Sequence, residues 1–392
     1  MEITMLENTK GTVIKVVGVG GAGGNAVQHM INKGVSGVEF IVANTDAQAL
    51  QNSKAHNVIQ IGETGLGAGM KPALGRQLAE ETRGRIEDAL RGAHMVFIAA
   101  GMGGGTGTGA APIVAQVAKE MGALTVAVVS KPFSYEGQKC MDIANEGLEE
   151  LSQHVDSLIV ILNEKLEDIY EDDSMMEWLQ HADDVLNNAV AGIAEIINVP
   201  GHINVDFNDV KTIMGEQGKA MMGTAVASGV DRARIAAEQA VASPLLDGVD
   251  LSGARGVLVN VTASRSLKGK EIKEVMATVR AFAAQDASIA QGIAYDEAMG
   301  DEIRVTVVAT GLGRARKPHI VNTPMPKLRT GTYDSEPVSA AGSMESGGGQ
   351  PFEAIRTPAV WRRESASETV RAMERNGTET YDIPAFLRRQ AD

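Results

Sequence analysis

The 392 residues are enough for two domains with sizeable cores, and a hydrophobic content of 44% is ordinary for a soluble protein. No apolar run is long enough to span a bilayer. The opening Met1–Asn8 lacks the basic-then-apolar plan of a signal peptide, and the lone Cys140 excludes an internal disulfide and a cysteine-built zinc site, which fits a reducing cytoplasm. The formal charge is −14; residues 314–392 carry 12 Lys and Arg against 10 Asp and Glu, so the acidic surplus lies in the body before them. An acidic body argues against nucleic acid and anionic lipid as partners, but not against nucleotides, which bind through local amides and metal ions.

Residues 12–19 read as a first strand, which runs into the glycine cluster Gly20-Gly21-Ala22-Gly23-Gly24-Asn25 and then a helix over 26–34. A second strand covers 38–43 and ends in Asn44-Thr45-Asp46, and another glycine-rich loop spans 62–69. Leu74, Leu78, Ile86 and Leu90 lie on one apolar face of a helix expected from Pro72 to about Gly92. Residues 95–100 form a buried-type strand, followed by Gly101-Met102-Gly103-Gly104-Gly105-Thr106-Gly107-Thr108-Gly109 and a helix over 110–122 with a glycine at its C-cap. Further strands are expected at 124–129 and 156–162. Short continuous Val/Ile runs alternating with helices point to a parallel sheet covered on both faces.

A long helix is expected over 175–198, closed by Pro200 and Gly201. It would join this domain to a second α/β domain over 201–313, with strands at 256–262 and 302–309 and a helix from 270 to about 284. Residues 314 to about 379 are rich in Pro, Gly, Ser, Thr and charge, and cannot bury enough surface to fold alone. As a coil of ~65 residues this linker would span on the order of 45 Å. The end, Tyr381–Asp392, regains an apolar cluster at Ile383, Phe386 and Leu387 beside Arg388 and Arg389, which suits a docking peptide on a tether.

The two glycine clusters carry the chemistry. A glycine loop between a strand end and a helix start can turn several N–H groups toward one anion, and the helix dipole adds to the attraction. Thr106 and Thr108 add hydroxyls. Gly18, Gly20 and Gly23 also satisfy the dinucleotide fingerprint G-x-G-x-x-G, with Glu39 or Asp46 available for a ribose, so an NAD-dependent oxidoreductase is an alternative. A dinucleotide needs one such cradle, however, whereas two suit a longer phosphate chain gripped from both sides. No G-x-x-x-x-G-K-[ST] occurs, so phosphate charge must be met by amides, hydroxyls and Mg²⁺ rather than a loop lysine.

G-G-A-G-G-N at 20–25, N-T-D at 44–46 and G-G-G-T-G-T-G at 103–109 resemble the FtsZ family of tubulin-like bacterial cell-division GTPases. The resemblance continues through Lys131–Gly137, Asn204–Asp209, Met221–Gly223, Ser243–Leu246 and Asp250–Gly256, and at the end peptide Asp382–Asp392. It implies a tubulin-like fold: a parallel-sheet GTP-binding domain (12–174) after a flexible 1–11, a central helix (175–200), a second domain (201–313), a disordered linker (314–379) and a docking peptide (380–392).

It also implies site residues. GTP or GDP, with Mg²⁺, would lie against Gly20 to Asn25, Asn44 and Gly103 to Gly109, with Glu136 on the ribose and Asn163 and Asp183 reading guanine. A carboxylate at Asp183 would accept from the ring N1–H and the exocyclic amine, a donor pair that adenine does not offer. Two departures stand out: Cys140 replaces the family's usual Arg near the nucleotide, and Leu179 replaces a Phe that stacks on the base, with Trp178 adjacent.

No convincing base for hydrolysis lies beside the glycine loops. By spacing alone, Asp206 and Asp209 read as helix-capping residues. The resemblance implies instead that their loop, oriented by Asn204, enters the nucleotide site of the next subunit, so that head-to-tail filaments complete each site and couple GTP hydrolysis to assembly. A scaffold that binds GTP without hydrolysing it is the alternative if Cys140 and Leu179 mark a degenerate site. The implied partners are other copies of the chain and, through Asp382–Asp392, FtsA and ZipA, which would hold filaments to the membrane indirectly. The implied location is a cytoplasmic ring at midcell beneath the inner membrane.

Overall fold

In the computed structural model the described residues are 11–198, 205–215, 219–243, 254–284 and 286–312. In chain order the first half comprises β1 (Ile14–Val19), α1 (Gly20–Asn32), β2 (Val38–Asn44), α2 (Ala47–Gln51), β3 (Asn57–Gln60), α3 (Pro72–Glu81), α4 (Arg83–Leu90), β4 (Met95–Gly101), α5 (Thr106–Glu120), β5 (Leu124–Lys131), α6 (Gln138–His154), β6 (Ser157–Leu162), α7 (Asn163–Ile169) and α8 (Met175–Asn198). There follow α9 (Phe207–Met214), β7 (Lys219–Ser228), α10 (Arg232–Val241), β8 (Gly256–Ala263), α11 (Gly269–Phe282), β9 (Ser288–Tyr295) and β10 (Glu302–Leu312).

The strands form one sheet in the order β3-β2-β1-β4-β5-β6-β7-β10-β8-β9. From β3 to β6 all pairings are parallel. Beyond β6 the sheet changes character: β7 meets β6 in parallel through Leu158↔Lys219 and Ile159↔Ala220, β10 runs antiparallel to β7 and β8, and β9 is parallel to β8. Consecutive residues of β1 alternate between two cores. Ile14 and Val16 join the core under α1 and α8, and Val17 and Val19 join the one under α3 to α6. Burial on both faces accounts for the unbroken Val/Ile runs. The apolar side of α8, from Leu186 to Ile196, packs in the same core as Val16 and Phe97 from the first strands and Met222, Leu258 and Val308 from the later ones.

This topology positions the site. The register pairs Val19 with Ala43 on one side and with Ala100 on the other, so β1, β2 and β4 end together. Chain order reverses direction between β1 and β4. The helices that follow them, α1 and α5, leave for opposite faces and bury Ala26, Val27 and Met30 in one core and Ala110, Ala111 and Val114 in the other. The crevice at such a switch point is where open α/β sheets bind ligands.

Three sequence expectations need correction. Helix α1 starts at Gly20, not 26, and α5 starts at Thr106, not 110, so both glycine clusters run into the first helical turn. The four N-terminal amides of a helix lack intrahelical partners, which is what leaves these residues free to bind an anion. The helix expected over 72–92 is two helices broken at Thr82, whose hydroxyl donates to Leu78 O (2.8 Å) and accepts from the Gly62 amide (2.9 Å), drawing the chain toward the loop at 62–69. Asn204, the linker and the end peptide lie outside the described residues.

Candidate functional site

The two glycine clusters meet. Gly20 has φ +75°, and a Cβ there would stand 2.9 Å from the Gly107 amide nitrogen. A Cβ on Gly107 would run into the Gly101 carbonyl, and one on Gly105 into the carbonyl of Gly69, so the loop at 62–69 backs the cradle from below. Gly101 abuts the Ala22 methyl, Gly23 approaches the Ala99 carbonyl, Gly109 approaches Pro72, and Gly24 rests against Val42. By contrast a Cβ on Gly21 or Gly104 would meet nothing within 4 Å. Packing therefore requires glycine at 20, 105 and 107; at 21 and 104 it requires nothing, and the open space beside them is room for a ligand.

Hydroxyls fix the cradle. Thr108 is buried and its Oγ1 accepts from the Gly103 amide at 2.9 Å, closing the loop on itself. Thr106 Oγ1 lies 2.6 Å from Thr45 Oγ1 at the end of β2. Thr45 is buried beside Asn44, whose Oδ1 accepts from the Asp46 amide (3.3 Å). The Asp46 carboxylate caps α2, accepting from the Gln48 amide at 2.8 Å. That bond competes with the ribose contact expected of it in a dinucleotide site.

The sugar-side candidates come from the turn after β5. Glu136 sits in a 3-10 turn, Ser134–Glu136, and accepts from the Phe133 amide at 3.0 Å. Gly137, at φ +87°, starts α6, and Cys140 lies half-buried in its first turn with its carbonyl 3.0 Å from where a Gly103 Cβ would stand. Cys140 thus meets the phosphate loop through its backbone.

The base-side candidates are polar groups left unpaired. Asn163 opens α7 at the end of β6; it is buried and its Oδ1 has no hydrogen-bond partner. On α8, Asp184 pairs with His29 of α1 (Nε2 at 2.7 Å) and with Lys33 just after it (Nζ at 3.4 Å). Its neighbour Asp183 is left without a hydrogen bond among the described residues. Burial pushes the Asp183 carboxyl up to about 6, with His29 pulling it down and Asp184 pushing it up. Native proteins seldom leave such groups unsatisfied without a ligand or water to complete them.

Leu179 is exposed. Trp178 is engaged elsewhere: its ring stacks on Phe133 (6.3 Å between centroids) and its Nε1 donates to Tyr170 O at 2.6 Å. Asp206 caps α9, accepting from the Asn208 amide at 3.3 Å, and Asp209 sits exposed in the first turn of α9 at the rim of an open cavity of about 310 Å³ lined also by Val205, Ile213 and Ile289. Thr45 enters the sequence reading only as the middle of the N-T-D motif at 44–46, with no role of its own; its hydroxyl contact with Thr106 is what the structure adds.

Residues 13–171 match the Tubulin/FtsZ family GTPase domain, and residues 218–313 match the FtsZ family C-terminal domain. Cell division protein FtsZ of Pseudomonas putida is 52% identical over 390 residues, covering 97% of either chain, and that of Pseudomonas aeruginosa is 52% identical over 387 residues, again covering 97% of either chain. A solved dimer of FtsZ from M. jannaschii superposes with a TM-score of 0.74 at 45% identity, covering 79% of this chain and 90% of that one. CetZ1 from Haloferax volcanii, at 19% identity and a TM-score of 0.67 over 78% of this chain and 96% of its own, shares the fold.

Proposed function

Because the chain belongs to the FtsZ family of tubulin-like cell-division GTPases, we propose that it binds GTP in the crevice between β1 and β4 and hydrolyses it only when a second copy completes the site. The observation that carries the binding reading is the meeting of the clusters at Gly20 and Gly107, with open space at Gly21 and Gly104 and a buried acceptor without a partner at Asn163. The phosphates face the first-turn amides of α1 and α5, where the helix dipoles favour negative charge. Asn44 and the Thr106 and Thr108 hydroxyls line that cradle, Glu136 takes the ribose, and Asp183 with Asn163 takes the base. Cys140 supports the loop through its carbonyl, and Leu179 covers the base edge without stacking on it.

Among the described residues no three His, Cys, Asp or Glu side chains converge to hold a metal ion. Mg²⁺ suits this site as a counter-ion carried by the phosphate oxygens, keeping most of its waters and meeting at most a threonine hydroxyl. When bound, it would neutralise charge on the β- and γ-phosphates.

The family assignment excludes the oxidoreductase alternative. Self-assembly fits both the family and the M. jannaschii dimer. The shared-site reading is supported by the exposure of Asp206 and Asp209 at the start of α9, where a second copy can reach them. Asp206 and Asp209, with Asn204 orienting their loop, would position the attacking water in the neighbour's site. A head-to-tail contact of this kind does not close, so it yields filaments. Such filaments build a septal ring on the cytoplasmic face of the membrane. FtsA and ZipA would hold it there through Asp382–Asp392, and among the described residues no helix is long and apolar enough to cross a membrane.

The test is phosphate release from GTP as a function of protein concentration, for the natural chain and for Asp209→Ala. The expected result is a rate per subunit near zero at low concentration, rising above a threshold, and a variant that binds GTP and assembles but hydrolyses slowly. A rate per subunit independent of concentration would overturn the shared site, and unimpaired turnover in the variant would remove Asp209 from it.

A further inference from the structure

We propose that His94 is a positioning residue for GTP hydrolysis: its imidazole seats Phe207 and so fixes where α9 presents Asp206 and Asp209 to the next subunit. The proposal rests on the reading of those two acids as the loop that completes the neighbour's site.

His94 immediately precedes β4. Its backbone is tied on both sides: its N–H donates to Val13 O at 2.9 Å, and its carbonyl accepts from the Leu124 amide at 2.9 Å. Its ring is tied as well. Nδ1 accepts from the Val13 amide at 3.0 Å, so the neutral imidazole carries its proton on Nε2. An exposed side chain usually keeps its rotamer freedom; this one is exposed and yet held in place.

The ring held there meets Phe207. The two stand edge to face, with 6.4 Å between centroids and 72° between planes, a favourable arrangement for an aromatic pair. Phe207 is the first residue of α9, directly after Asp206 and two positions before Asp209. It is half-buried against the same core as Val210 and Ile213.

The two ends of α9 are held differently. At the C-terminal end Thr310 Oγ1 donates to Ile213 O at 2.7 Å, and a Cβ on Gly256 would stand 3.0 Å from the Ile213 side chain, so the helix is pressed onto β8 and β10. At the other end the acids are exposed, and the Asp206 carboxylate is turned back on its own helix at the Asn208 amide. The contact of Phe207 with His94 ties this acidic end to the strands of the first half. A helix of eight residues fixed at one end can swing at the other, and a displacement of about 1 Å at a reacting water can cost about a hundredfold in rate. His94 is also remote from its own phosphate loop. The seven residues of β4 separate it from that loop by about 23 Å of strand. Its effect therefore falls on hydrolysis in the neighbour and not on its own GTP binding.

The test uses the full chain and the substitution His94→Asn, which keeps an acceptor for the Val13 amide and removes the ring. GTP affinity, and turnover per subunit well above the assembly threshold, are measured for the natural protein, His94→Asn, Phe207→Leu, the double variant and Asp209→Ala. His94→Asn and Phe207→Leu are each expected to bind GTP as the natural protein does and to hydrolyse it about three- to tenfold more slowly. The double variant should be no slower than the slower single one, because both remove the same contact. Natural turnover in His94→Asn overturns the proposal. So does a loss of GTP affinity that matches the loss of turnover, or a double variant whose defect is the product of the two. Asp209→Ala separates the two levels: if it hydrolyses GTP at the natural rate, the reading of the loop fails and the proposal with it; if it is slow while His94→Asn is not, only the assignment of His94 fails.

Discussion

The Thr45 hydroxyl at the end of β2 lies 2.6 Å from the Thr106 hydroxyl in the first turn of α5. This contact fastens the N-terminal end of α5 to the neighbouring strand, and Thr45 is too deeply buried for water to replace a missing partner. Thr45→Val keeps the volume and removes the bond. Loss of a buried hydroxyl pair of this kind costs about 1 kcal/mol of stability. GTP affinity should fall several-fold as well, because the freed Thr106 side chain must be reordered when nucleotide binds. Thermal melting and equilibrium binding on the same preparation test both; unchanged affinity would show that this contact does not shape the cradle.

Gly104 and Gly107 separate the two uses of glycine in one loop. A Cβ on Gly107 collides with the Gly101 carbonyl, whereas one on Gly104 meets nothing within 4 Å. Gly107→Ala should therefore destabilise the protein by about 2 kcal/mol or more, through forced backbone movement. Gly104→Ala should melt as the natural protein does and lose GTP affinity, because the methyl enters space meant for phosphate. A Gly104→Ala protein that binds GTP normally would place the phosphates elsewhere.

Much of this site was legible in the sequence because glycine has few reasons to cluster at a strand end, and the clusters at 20–25 and 103–109 mark the switch point in the sheet. Strands β1, β4, β5 and β6 were legible for the same kind of reason: burial on both faces leaves continuous Val/Ile runs. The starts of α1 and α5 were not, because glycine is a poor helix former and tertiary packing against Ala99 and Gly101 overrides its propensity. The break at Thr82 was hidden since an apolar spacing of 3.6 continues across it; only the contact with Gly62 reveals it. The resemblance implies a role for Asp183 and none for Asp184, but composition and spacing alone do not tell the adjacent acids apart. What separates them is His29 and Lys33, over 150 residues away in sequence.

That separation sets a pH dependence. The Asp183 carboxyl titrates at about 6 in the folded chain, raised chiefly by burial. A carboxyl raised above its unfolded value favours the protonated form in the folded state. The empty protein therefore gains stability from this group as pH falls from neutrality through about 6, and that gain is absent at pH 7 and above. Guanine binding runs the other way, since the base's N–H groups need the ionised carboxylate; GTP affinity should fall as pH drops below about 6. Asp183→Asn should bind GTP weakly at every pH and lack the inflection. Calorimetric titration between pH 5 and 8 would decide; a natural protein with flat affinity across that range would mean the group does not meet the base.

Arg232 holds the second half of the sheet at a point distant in sequence from the glycine loops. It is 4% exposed, and its guanidinium donates to Glu271 (2.7 and 3.2 Å), to Asp301 (2.9 Å to the carbonyl, 3.1 Å to the carboxylate) and to the Ser266 hydroxyl (3.1 Å). The Arg232 pair keeps the Glu271 carboxyl below its ordinary range. Removing the cation leaves the partly buried Glu271 without its counter-charge, held only by the Lys268 amide at 2.7 Å, which costs up to about 3 kcal/mol. Arg232→Ala should melt far below the natural protein, and Arg232→Lys should recover only part of the loss, because a point charge cannot replace the forked guanidinium. GTP affinity of the fraction that remains folded should be unchanged.

A shared site makes a further demand that neither single variant meets. Gly104→Ala has an impaired nucleotide site and an intact Asp206/Asp209 loop; Asp209→Ala has the reverse. If each chain held a complete site, neither protein could hydrolyse GTP and a mixture would be as inactive as its parts. If the loop of one subunit serves the site of the next, every contact that sets an intact loop on an intact site is active. Random head-to-tail pairing of equal amounts makes about one contact in four of that kind. Phosphate release from the mixture should therefore exceed the sum of the separate rates and reach roughly a quarter of the natural rate when every contact forms. The effect should vanish on dilution below the assembly threshold. An inactive mixture at concentrations where both proteins co-assemble, as read by light scattering, would place the water-positioning acids inside a single chain.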